Sequence, residues 1–343
     1  MQINVYFIRF ARMTVFVLPF LVACQQPAPK FDFDQQKEMI SASGWVDIGA
    51  HAFESEDLSP KKISCASCHS PDQHFQDGYE LAIIHNKKLI RNTPSLLNVN
   101  RYDHFFWDGR ATSLQQQLEG PLFARAEMDS SPEYLLEAIG QDSTLGHHFA
   151  QLQLSSPTHA ADFVTHALEE YIHSITTKQT RFHLHQQGKA QLTEAEQKGQ
   201  EIFLEKAQCG RCHAPPHFTD KGFHDIGLLR RNTIFETYNH KGRNRYRLGP
   251  DYGRGNIVSG MENLFTFRTP SLINVTLTAP YMHDGRFEEL EEVIDFYART
   301  DSVLLEQPLS REEKQQLMLF LKTLQDVKYE TPSITYQEFP PDQ

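Results

Sequence analysis

The sequence predicts a mainly α-helical protein made of two related halves. One observation is a repeat: residues 93–121, TPSLLNVNRYDHFFWDGRATSLQQQLEGP, align without a gap with residues 269–297, TPSLINVTLTAPYMHDGRFEELEEVIDFY, at a constant offset of 176. Internal similarity of this kind indicates a duplicated unit. A second observation is that apolar residues recur at helical spacing, whereas no segment shows the strong alternation typical of strands. At 343 residues the chain is long enough for two domains with separate cores.

Several helices are predicted in the first half. The first is indicated by apolar residues at helical spacing, namely Ile40, Trp45, Ile48, Ala52 and Phe53. Further helical patterns cover Ser113–Leu118, Glu133–Ile139 and Ala160–Ile175. The polar stretch HLHQQGKAQ that follows predicts a domain boundary near residues 185–190.

The second half is predicted to repeat this helical pattern. Thr193 and Glu196 form a capping box, which predicts the start of a helix. Later helices are predicted at Glu288–Arg299 and Arg311–Leu324. An insert, Lys221–Leu264, lies between the helix that starts at Thr193 and these later helices. Its Gly-, Arg- and Asn-rich composition predicts loops.

The N-terminus predicts export. Two arginines precede the apolar run Met13–Val22, which is too short to span a membrane. The run ends in Leu-Val-Ala-Cys, which resembles a bacterial lipobox in which Cys24 is lipidated; the alternative is a plain secretory signal with a chance cysteine. We therefore expect a periplasmic protein of a Gram-negative bacterium that meets the membrane only through its lipid anchor.

These patterns divide the chain into five segments. They are a signal peptide at 1–23, a lipoprotein tether at 24–36, an N-terminal domain at 37–187, a C-terminal domain at 188–330 and a tail at 331–343. The formal charge of −11 argues against nucleic acid as a partner.

The other four cysteines lie in two C-x-x-C-H motifs. These are Cys65-Ala66-Ser67-Cys68-His69 and Cys209-Gly210-Arg211-Cys212-His213. The motif is typical of covalent haem c attachment, in which two thiols form thioethers and the histidine binds iron. A zinc site or a pair of redox-active dithiols are the alternatives. A zinc ribbon normally has roughly 15–20 residues between its cysteine pairs, and these pairs lie much further apart, so two haem c groups are favoured.

The two copies of the repeat differ at positions that bear on haem chemistry. Trp107 aligns with His283, and Pro121 aligns with Tyr297. The second axial position of a haem decides between electron transfer and reaction with peroxide. Tyr297 offers an oxygen ligand, whereas Pro121 has no donor atom in its side chain. The alternative is that Tyr297 is an ordinary half-buried aromatic residue.

The combined motifs resemble the bacterial dihaem cytochrome c peroxidase and MauG superfamily. The resemblance rests on both C-x-x-C-H motifs, on TPSLLNV with FFWDGR, and on TPSLINV with APYMHDGR, and it covers about residues 40–325. It implies two cytochrome c-like domains whose haems face a shared interface, with a calcium ion and a tryptophan between them.

The resemblance also implies roles for individual residues. Trp107 matches the tryptophan between the haems, and Gln117 and Glu127 match the distal pocket of the peroxidatic haem. The positions that match the calcium site are Asn92, Thr278 and Pro280.

Three residues concern the remaining axial positions. Tyr297 occupies a position that is Met in the ordinary peroxidases and Tyr in MauG-like members, and Met282 is the rival ligand. His85 lies near the position where ordinary members keep a removable ligand for the peroxidatic haem; the alternative is an exposed loop histidine.

The resemblance implies an enzyme that acts on hydrogen peroxide. One possibility is a peroxidase supplied with electrons by a small cytochrome c or cupredoxin. Another is a MauG-like oxidase that modifies Trp or Tyr side chains of a protein substrate. A non-enzymatic electron carrier is the third, and it is disfavoured because a carrier gains nothing from an open haem.

Overall fold

The computed structural model describes residues 33–85, 87–228, 232–240, 243–298 and 308–329. The predicted signal peptide, the lipidation site Cys24 and the predicted tail lie outside the described residues. Of the predicted tether, only residues 33–36 are described, and they form a short helix.

Helices dominate the described residues, so the predicted mainly α class is confirmed. The α-helices are α1 (Phe33–Gln36), α2 (Ala42–Glu54), α3 (Leu114–Phe123), α4 (Pro132–Gln141), α5 (Ser143–Gln151), α6 (Pro157–Ser174), α7 (Arg181–Gln186), α8 (Glu194–Glu201), α9 (Leu290–Tyr297) and α10 (Arg311–Lys322). The strands are β1 (Ile83–Ile84), β2 (Lys87–Lys88), β3 (Phe223–His224), β4 (Asn232–His240), β5 (Arg243–Pro250) and β6 (Phe267–Arg268).

Local capping signals account for several helix starts. The Thr193 side chain accepts a hydrogen bond from the Glu196 N–H. The Glu196 side chain accepts one from the Thr193 N–H, as predicted for α8. Ser310 and Glu313 form the same box at α10. Helix α5 and the short helix α7 were not predicted. Asp142 caps α5 by accepting from two backbone N–H groups.

The prediction that Lys221–Leu264 forms loops was wrong for residues 232–250. Strands β4 and β5 form an antiparallel hairpin with a bulge near Ile234. Only Lys241 and Gly242 separate the strands in sequence, and such a short Gly-containing connection is typical of hairpins. The Gly-, Arg- and Asn-rich composition concealed this signal. The short β3–β6 ladder closes the insert, because Phe223 pairs with Arg268.

The described side chains form two separate apolar cores. The first lies within residues 45–175 and the second within residues 182–324. The first surrounds the contact between α2 and α6. In the second, the rings of Phe182, Phe203, Phe218 and Phe320 pack in edge-to-face and tilted pairs, with ring centroids 5.2–6.2 Å apart.

Each core depends on one glycine where two helices cross. A Cβ atom on Gly49 of α2 would overlap the main-chain carbonyl of Ala167 in α6. A Cβ atom on Gly199 of α8 would overlap the carbonyl of Gln316 in α10. The absence of a side chain therefore sets the close approach of the two helices in both halves.

The two copies of the repeated sequence have the same local conformation. Helices α3 and α9 begin at aligned residues, Leu114 and Leu290, so Pro121 and Tyr297 are each the eighth residue of their helix. The backbone bridge between Phe105 and Ala111 matches the bridge between Tyr281 and Phe287.

The aligned asparagines Asn98 and Asn274 meet at one hydroxyl group. Both adopt positive φ angles, 62° and 66°. Their Nδ2 groups donate to Thr177 Oγ1 at 2.8 and 2.7 Å. The two copies are therefore joined by a buried hydrogen-bond cluster on the segment between α6 and α7.

No helix within the described ranges is both long and apolar enough to cross a membrane.

Candidate functional site

The two C-x-x-C-H motifs hold their histidines in the same way. His69 Nδ1 lies 3.0 Å from the carbonyl oxygen of Phe75, and His213 Nδ1 lies 3.1 Å from that of Phe218. Because a carbonyl can only accept, each Nδ1 carries the proton and donates it. Each Nε2 is then the basic nitrogen available to a metal, an arrangement typical of ligating histidines.

Both imidazoles are held neutral. Burial lowers the pKa of His69, although the carbonyl of Phe75 opposes the shift. Burial likewise lowers the pKa of His213, against the carbonyl of Phe218. A neutral imidazole is the form that binds iron.

The four cysteine thiols beside these histidines do not ionise readily. Burial raises the pKa of Cys65 to about 12, that of Cys68 to about 11 and that of Cys209 to about 12, and it also raises the pKa of Cys212. The four thiols are not joined in disulfides. Dithiol exchange proceeds through a thiolate, and burial disfavours that form at these four cysteines.

An aspartate that was not predicted from the sequence lies next to each motif. Thr93 Oγ1 donates to Asp77 Oδ2 at 2.6 Å. Thr269, which aligns with Thr93, lies close enough to Asp220 to help lower the pKa of its carboxyl. Asp77 acts electrostatically on Cys68, and Asp220 acts on Cys212.

A sequence signal for these aspartates existed. Both motifs are followed by Phe-x-Asp, at Phe75–Asp77 and at Phe218–Asp220. The spacing from the histidine is one residue longer in the first half, so a gapless comparison does not align the two copies.

Cys212, Asp220 and His224 form a cluster of possible metal donors. His224 Nε2 lies 2.7 Å from Asp220 Oδ2, so these two groups are bonded to each other. Burial opposes the ionisation of Asp220, but His224, the Gly222 N–H and Thr269 outweigh it and lower the pKa of the carboxyl. Asp220 and His224 therefore form a hydrogen-bonded pair beside the second motif.

The first half places an acid and an amide near its motif. Glu127 is close enough to raise the pKa of the Cys68 thiol. Burial raises the pKa of Glu127 itself, although Arg110 and Lys61 oppose the shift. Gln117 lies on α3, and its Oε1 is buried without a hydrogen-bond partner in the described part of the chain. A buried unpaired carbonyl is costly unless a bound group completes it. These residues therefore fit a haem site with a polar distal side.

The second half places Tyr297 near its own motif. Burial is the main cause that raises the pKa of the Tyr297 phenol. Electrostatic interactions with Cys209 and Cys212 are the next causes, and they raise it further. The phenol therefore lies beside the second haem-binding motif, while the aligned Pro121 lies inside α3. Met282, the rival ligand, is half-buried and has a φ of 73°.

Trp107 lies where residues of the two halves meet. Its Nε1 donates to the carbonyl of Asn92 at 3.0 Å, and its own carbonyl accepts from the N–H of Arg268 at 2.8 Å. The Asn92 N–H donates to the carbonyl of His283 at 2.9 Å. His283, aligned with Trp107, stacks on Phe267 with ring centroids 3.6 Å apart.

Of the residues matched to a calcium site, Asn92 contacts the segment that follows the other two, Thr278 and Pro280. The main chain of Asn92 is bonded to His283, three residues after Pro280. Asn92 Nδ2 donates to the carbonyl of Tyr79 at 2.9 Å, and Thr278 Oγ1 lies 3.4 Å from the carbonyl of Val275.

His85 lies on the surface. It is exposed, has a φ of 46°, and directly follows β1. Its predicted role as a removable ligand stays a prediction.

Comparison with known proteins places this architecture. Residues 43–191 match the family model for di-haem cytochrome c peroxidase. The chain is 32% identical to the methylamine utilization protein MauG of Methylorubrum extorquens over 291 residues, which covers 81% of this chain and 76% of that protein. It is 27% identical to the cytochrome c551 peroxidase of Nitrosomonas europaea, covering 76% and 74% of the two chains.

A solved structure supports the same relationship. The crystal structure of a MauG-like protein associated with microbial copper homeostasis superimposes with a TM-score of 0.70 at 28% identity, covering 91% of this chain and 96% of that one. Together with the two C-x-x-C-H motifs, these similarities show that the chain belongs to the dihaem cytochrome c peroxidase and MauG superfamily of oxidoreductases, a family with two c-type haems.

Proposed function

We propose that the chain is an exported dihaem peroxidase that reduces hydrogen peroxide at an open haem held by His69 and passes oxidising equivalents through Trp107 to a second haem at His213. The observation that carries the proposal is the asymmetry between α3 and α9. The eighth residue of α3 is Pro121, with Gln117 Oε1 buried and unpaired, whereas the eighth residue of α9 is Tyr297, whose phenol lies beside Cys209 and Cys212.

Separate sets of residues would hold the two haems. Cys65 and Cys68 would form the thioethers, and His69 Nε2 would bind the iron, which supplies the electron exchange with peroxide. The second haem would be held by Cys209, Cys212 and His213, and Tyr297 would occupy its second axial position.

Glu127 is proposed to move a proton within bound peroxide. Its carboxylate takes the proton of the near oxygen and returns it to the far oxygen, which leaves as water. A general acid–base works best with a pKa near the operating pH, and burial raises the pKa of Glu127 towards that range. Gln117 Oε1 would accept a hydrogen bond from peroxide and orient it. Two electrons and two protons complete the reduction of one peroxide to two waters.

A MauG-like oxidase is the second proposed function. Tyr297 beside the second motif favours it, because a phenolate ligand stabilises oxidised iron more than a thioether does. Such an enzyme would use peroxide to modify Trp or Tyr side chains of a partner protein. A peroxidase would instead take electrons from a small cytochrome c or cupredoxin.

Purified dihaem protein mixed with one equivalent of peroxide distinguishes these functions. Rapid turnover with reduced cytochrome c supports the peroxidase. A long-lived oxidation of both haems, without turnover of that donor, supports the oxidase. If peroxide leaves both haem spectra unchanged, both proposals fail and an electron carrier remains.

Three further features of the chain belong to the proposal: its domains, a calcium ion and a lipid anchor. The two cores support domains at 37–187 and 188–330 that arose by internal duplication. The main-chain bond from Asn92 to His283 supports one calcium ion bound by Asn92, Thr278 and Pro280. Lipidation at Cys24 would tether the periplasmic protein to a membrane, and labelling with palmitate that disappears in Cys24→Ser tests it.

A further inference from the structure

The segment after α3, residues 124–130, carries Glu127, and we call it the Glu127 loop. The N–H groups of Glu127 and Asp129 both donate to the carbonyl of Ala124, at 2.9 and 3.0 Å. These bonds close the loop into a compact turn. They leave the carbonyl groups of Arg125 and Glu127 to partners in another part of the chain.

Lys61, four residues before Cys65 of the first C-x-x-C-H motif, is the partner of both carbonyl groups. Its Nζ donates to the carbonyls of Arg125 and Glu127, to the latter at 3.2 Å. The same Nζ lies 3.5 Å from Asp129 Oδ2. An ammonium group has three N–H donors, so this one side chain can bind three oxygen atoms of the Glu127 loop.

A buried hydroxyl group strengthens this attachment. Ser59 is fully buried, and its Oγ donates to the carbonyl of Met128 at 2.6 Å. The same Oγ accepts a hydrogen bond from the N–H of Lys61 at 3.1 Å. The main chain of Lys61 and the Glu127 loop are therefore fixed to one oxygen atom, and the Lys61 side chain begins from a fixed point beside the loop.

The charge of Lys61 also acts on the Glu127 carboxyl. Burial raises the pKa of Glu127, and the cations that oppose this shift are Arg110, which is bound to Asp108, and Lys61. From the first motif, the Cys68 thiol also faces Glu127. The Lys61 side chain is only 26% exposed, so its charge is less screened by salt than that of a surface lysine.

From these contacts we propose that Lys61 is a positioning residue for the peroxide reaction, because it fixes the main chain of Glu127 beside the first haem-binding motif. The inference rests on the proposed role of Glu127 as the proton-transfer group and deepens it. A proton-transfer group must lie within hydrogen-bond reach of the oxygen that it serves. A Glu127 loop without its bonds to Lys61 would hold the carboxylate less precisely, and a small displacement of a catalytic group is costly.

The test compares Lys61→Met with wild type in the dihaem protein. Stopped-flow absorbance after addition of peroxide should show a reaction slowed by up to about 100-fold. The midpoint of the pH profile should move to higher pH, because a positive charge that favours the Glu127 carboxylate is removed. Lys61→Arg should restore most of the rate and the midpoint, since a guanidinium keeps the charge and has five N–H donors. A wild-type rate in Lys61→Met would overturn the proposal.

The adjacent lysine is the matched control. Lys62 Nζ is bonded to Asp57 Oδ1 rather than to the Glu127 loop, and its side chain is exposed. Lys62→Met should therefore react with peroxide at the wild-type rate and keep the wild-type pH profile. An equal loss of rate in Lys62→Met and Lys61→Met would show that any lost charge in this segment has the effect, and the positioning role would be wrong.

A double variant separates positioning from a merely structural role. If Lys61 acts through Glu127, Lys61→Met should cause no further loss of rate in the Glu127→Gln background. Losses that multiply in the double variant would overturn the proposal. If Glu127→Gln alone reacts as fast as wild type, the proposed role of Glu127 fails. A slow Glu127→Gln with a wild-type rate in Lys61→Met refutes the positioning role alone.

Haem content and Tm check that the variants fold. If Lys61→Met does not incorporate both haems, Lys61→Gln takes its place, because a carboxamide keeps N–H donors but has no charge. This variant should also move the midpoint of the pH profile to higher pH. A wild-type rate with an unmoved midpoint in Lys61→Gln would overturn the proposal.

Discussion

The indole Nε1 of Trp107 donates a 3.0 Å hydrogen bond to the carbonyl of Asn92, and this bond fixes the only tryptophan within the repeated segments. Asn92 is held in turn by His283 of the second half, through a 2.9 Å main-chain bond. The indole is therefore oriented by a peptide group that belongs to the boundary between the halves. This placement supports the proposed role of Trp107 in carrying electrons between the two haems.

Replacement of Trp107 by Phe should slow electron exchange between the halves. Phe lacks the easily oxidised indole and its N–H, so the second haem should be oxidised more slowly after peroxide is added. Stopped-flow absorbance of that haem measures the rate. Trp107→Tyr should restore part of it, because a phenol can also be oxidised, and Trp45→Phe, at the other tryptophan, should leave it unchanged. Equal rates in wild type and Trp107→Phe would contradict the proposed role.

Glu127→Gln should reduce the rate of the peroxide reaction by about 10²–10⁴-fold, the usual contribution of a general acid–base. The wild-type rate should rise with pH through the raised pKa of Glu127, because the ionised carboxylate accepts the first proton. The variant should have a flat profile over the same range. A wild-type profile that falls with pH, or an equally steep profile in Glu127→Gln, would exclude Glu127.

The same substitution should not lower stability at neutral pH. A carboxyl whose pKa is raised by folding contributes stability below its unfolded pKa, and that contribution is lost as pH rises through the folded value. At pH 7 the buried Glu127 carboxylate is therefore a cost, and Gln removes it. Thermal unfolding should give a Tm for Glu127→Gln equal to or above that of wild type. The difference in Tm between Glu127→Gln and wild type should favour the variant more at pH 7 than at pH 4. A difference that favours the variant less at pH 7 than at pH 4 would contradict this prediction.

Gly199→Ala should destabilise the C-terminal half. Its Cβ would overlap the carbonyl of Gln316, and overpacking of this kind costs about 1–3 kcal/mol. Gly140→Ala is the matched control, because Gly140 lies in α4 with nothing within 4 Å of an added Cβ. That variant should gain about 0.4–1 kcal/mol. Denaturant titration measures both changes, and a stabilised Gly199→Ala would show that α8 and α10 are not in this close contact.

Tyr297→Met should raise the reduction potential of the second haem. A thioether stabilises oxidised iron less than a phenolate does. Axial ligands tune haem potentials over about 0.8 V, so a shift of roughly 0.1 V or more is expected. Spectroelectrochemical titration measures it, with Met282→Leu as the control. If Met282→Leu shifts the potential and Tyr297→Met does not, Met282 is the ligand.

The parts of the fold that were predictable from sequence depend on local signals. The capping box at Thr193 and Glu196 predicts α8, and the gapless repeat predicts that α3 and α9 are equivalent. Helix α5 begins at Ser143, after the Asp142 cap, and no strong apolar pattern follows it. The hairpin β4–β5 was missed because its pairing joins residues across a turn, while its composition suggested loops.

The candidate site likewise contains residues that local motifs predict and contacts that they do not. The thioether cysteines and their histidines follow directly from the C-x-x-C-H motifs, since the chemistry requires that spacing. The bond between Asp77 and Thr93 joins residues that are distant in sequence, and the unequal spacing after His69 and His213 hides the shared Phe-x-Asp pattern. Contacts of this kind appear only once the chain is folded.

The asymmetry between Pro121 and Tyr297 is most directly tested by electron paramagnetic resonance of the fully oxidised dihaem protein. We expect one high-spin and one low-spin haem per chain. Pro121→Tyr, which copies the second half into the first, should convert the high-spin signal to a second low-spin signal and abolish peroxide turnover. Two low-spin haems in the wild type, or a Pro121→Tyr variant that keeps its high-spin signal and full turnover, would contradict it.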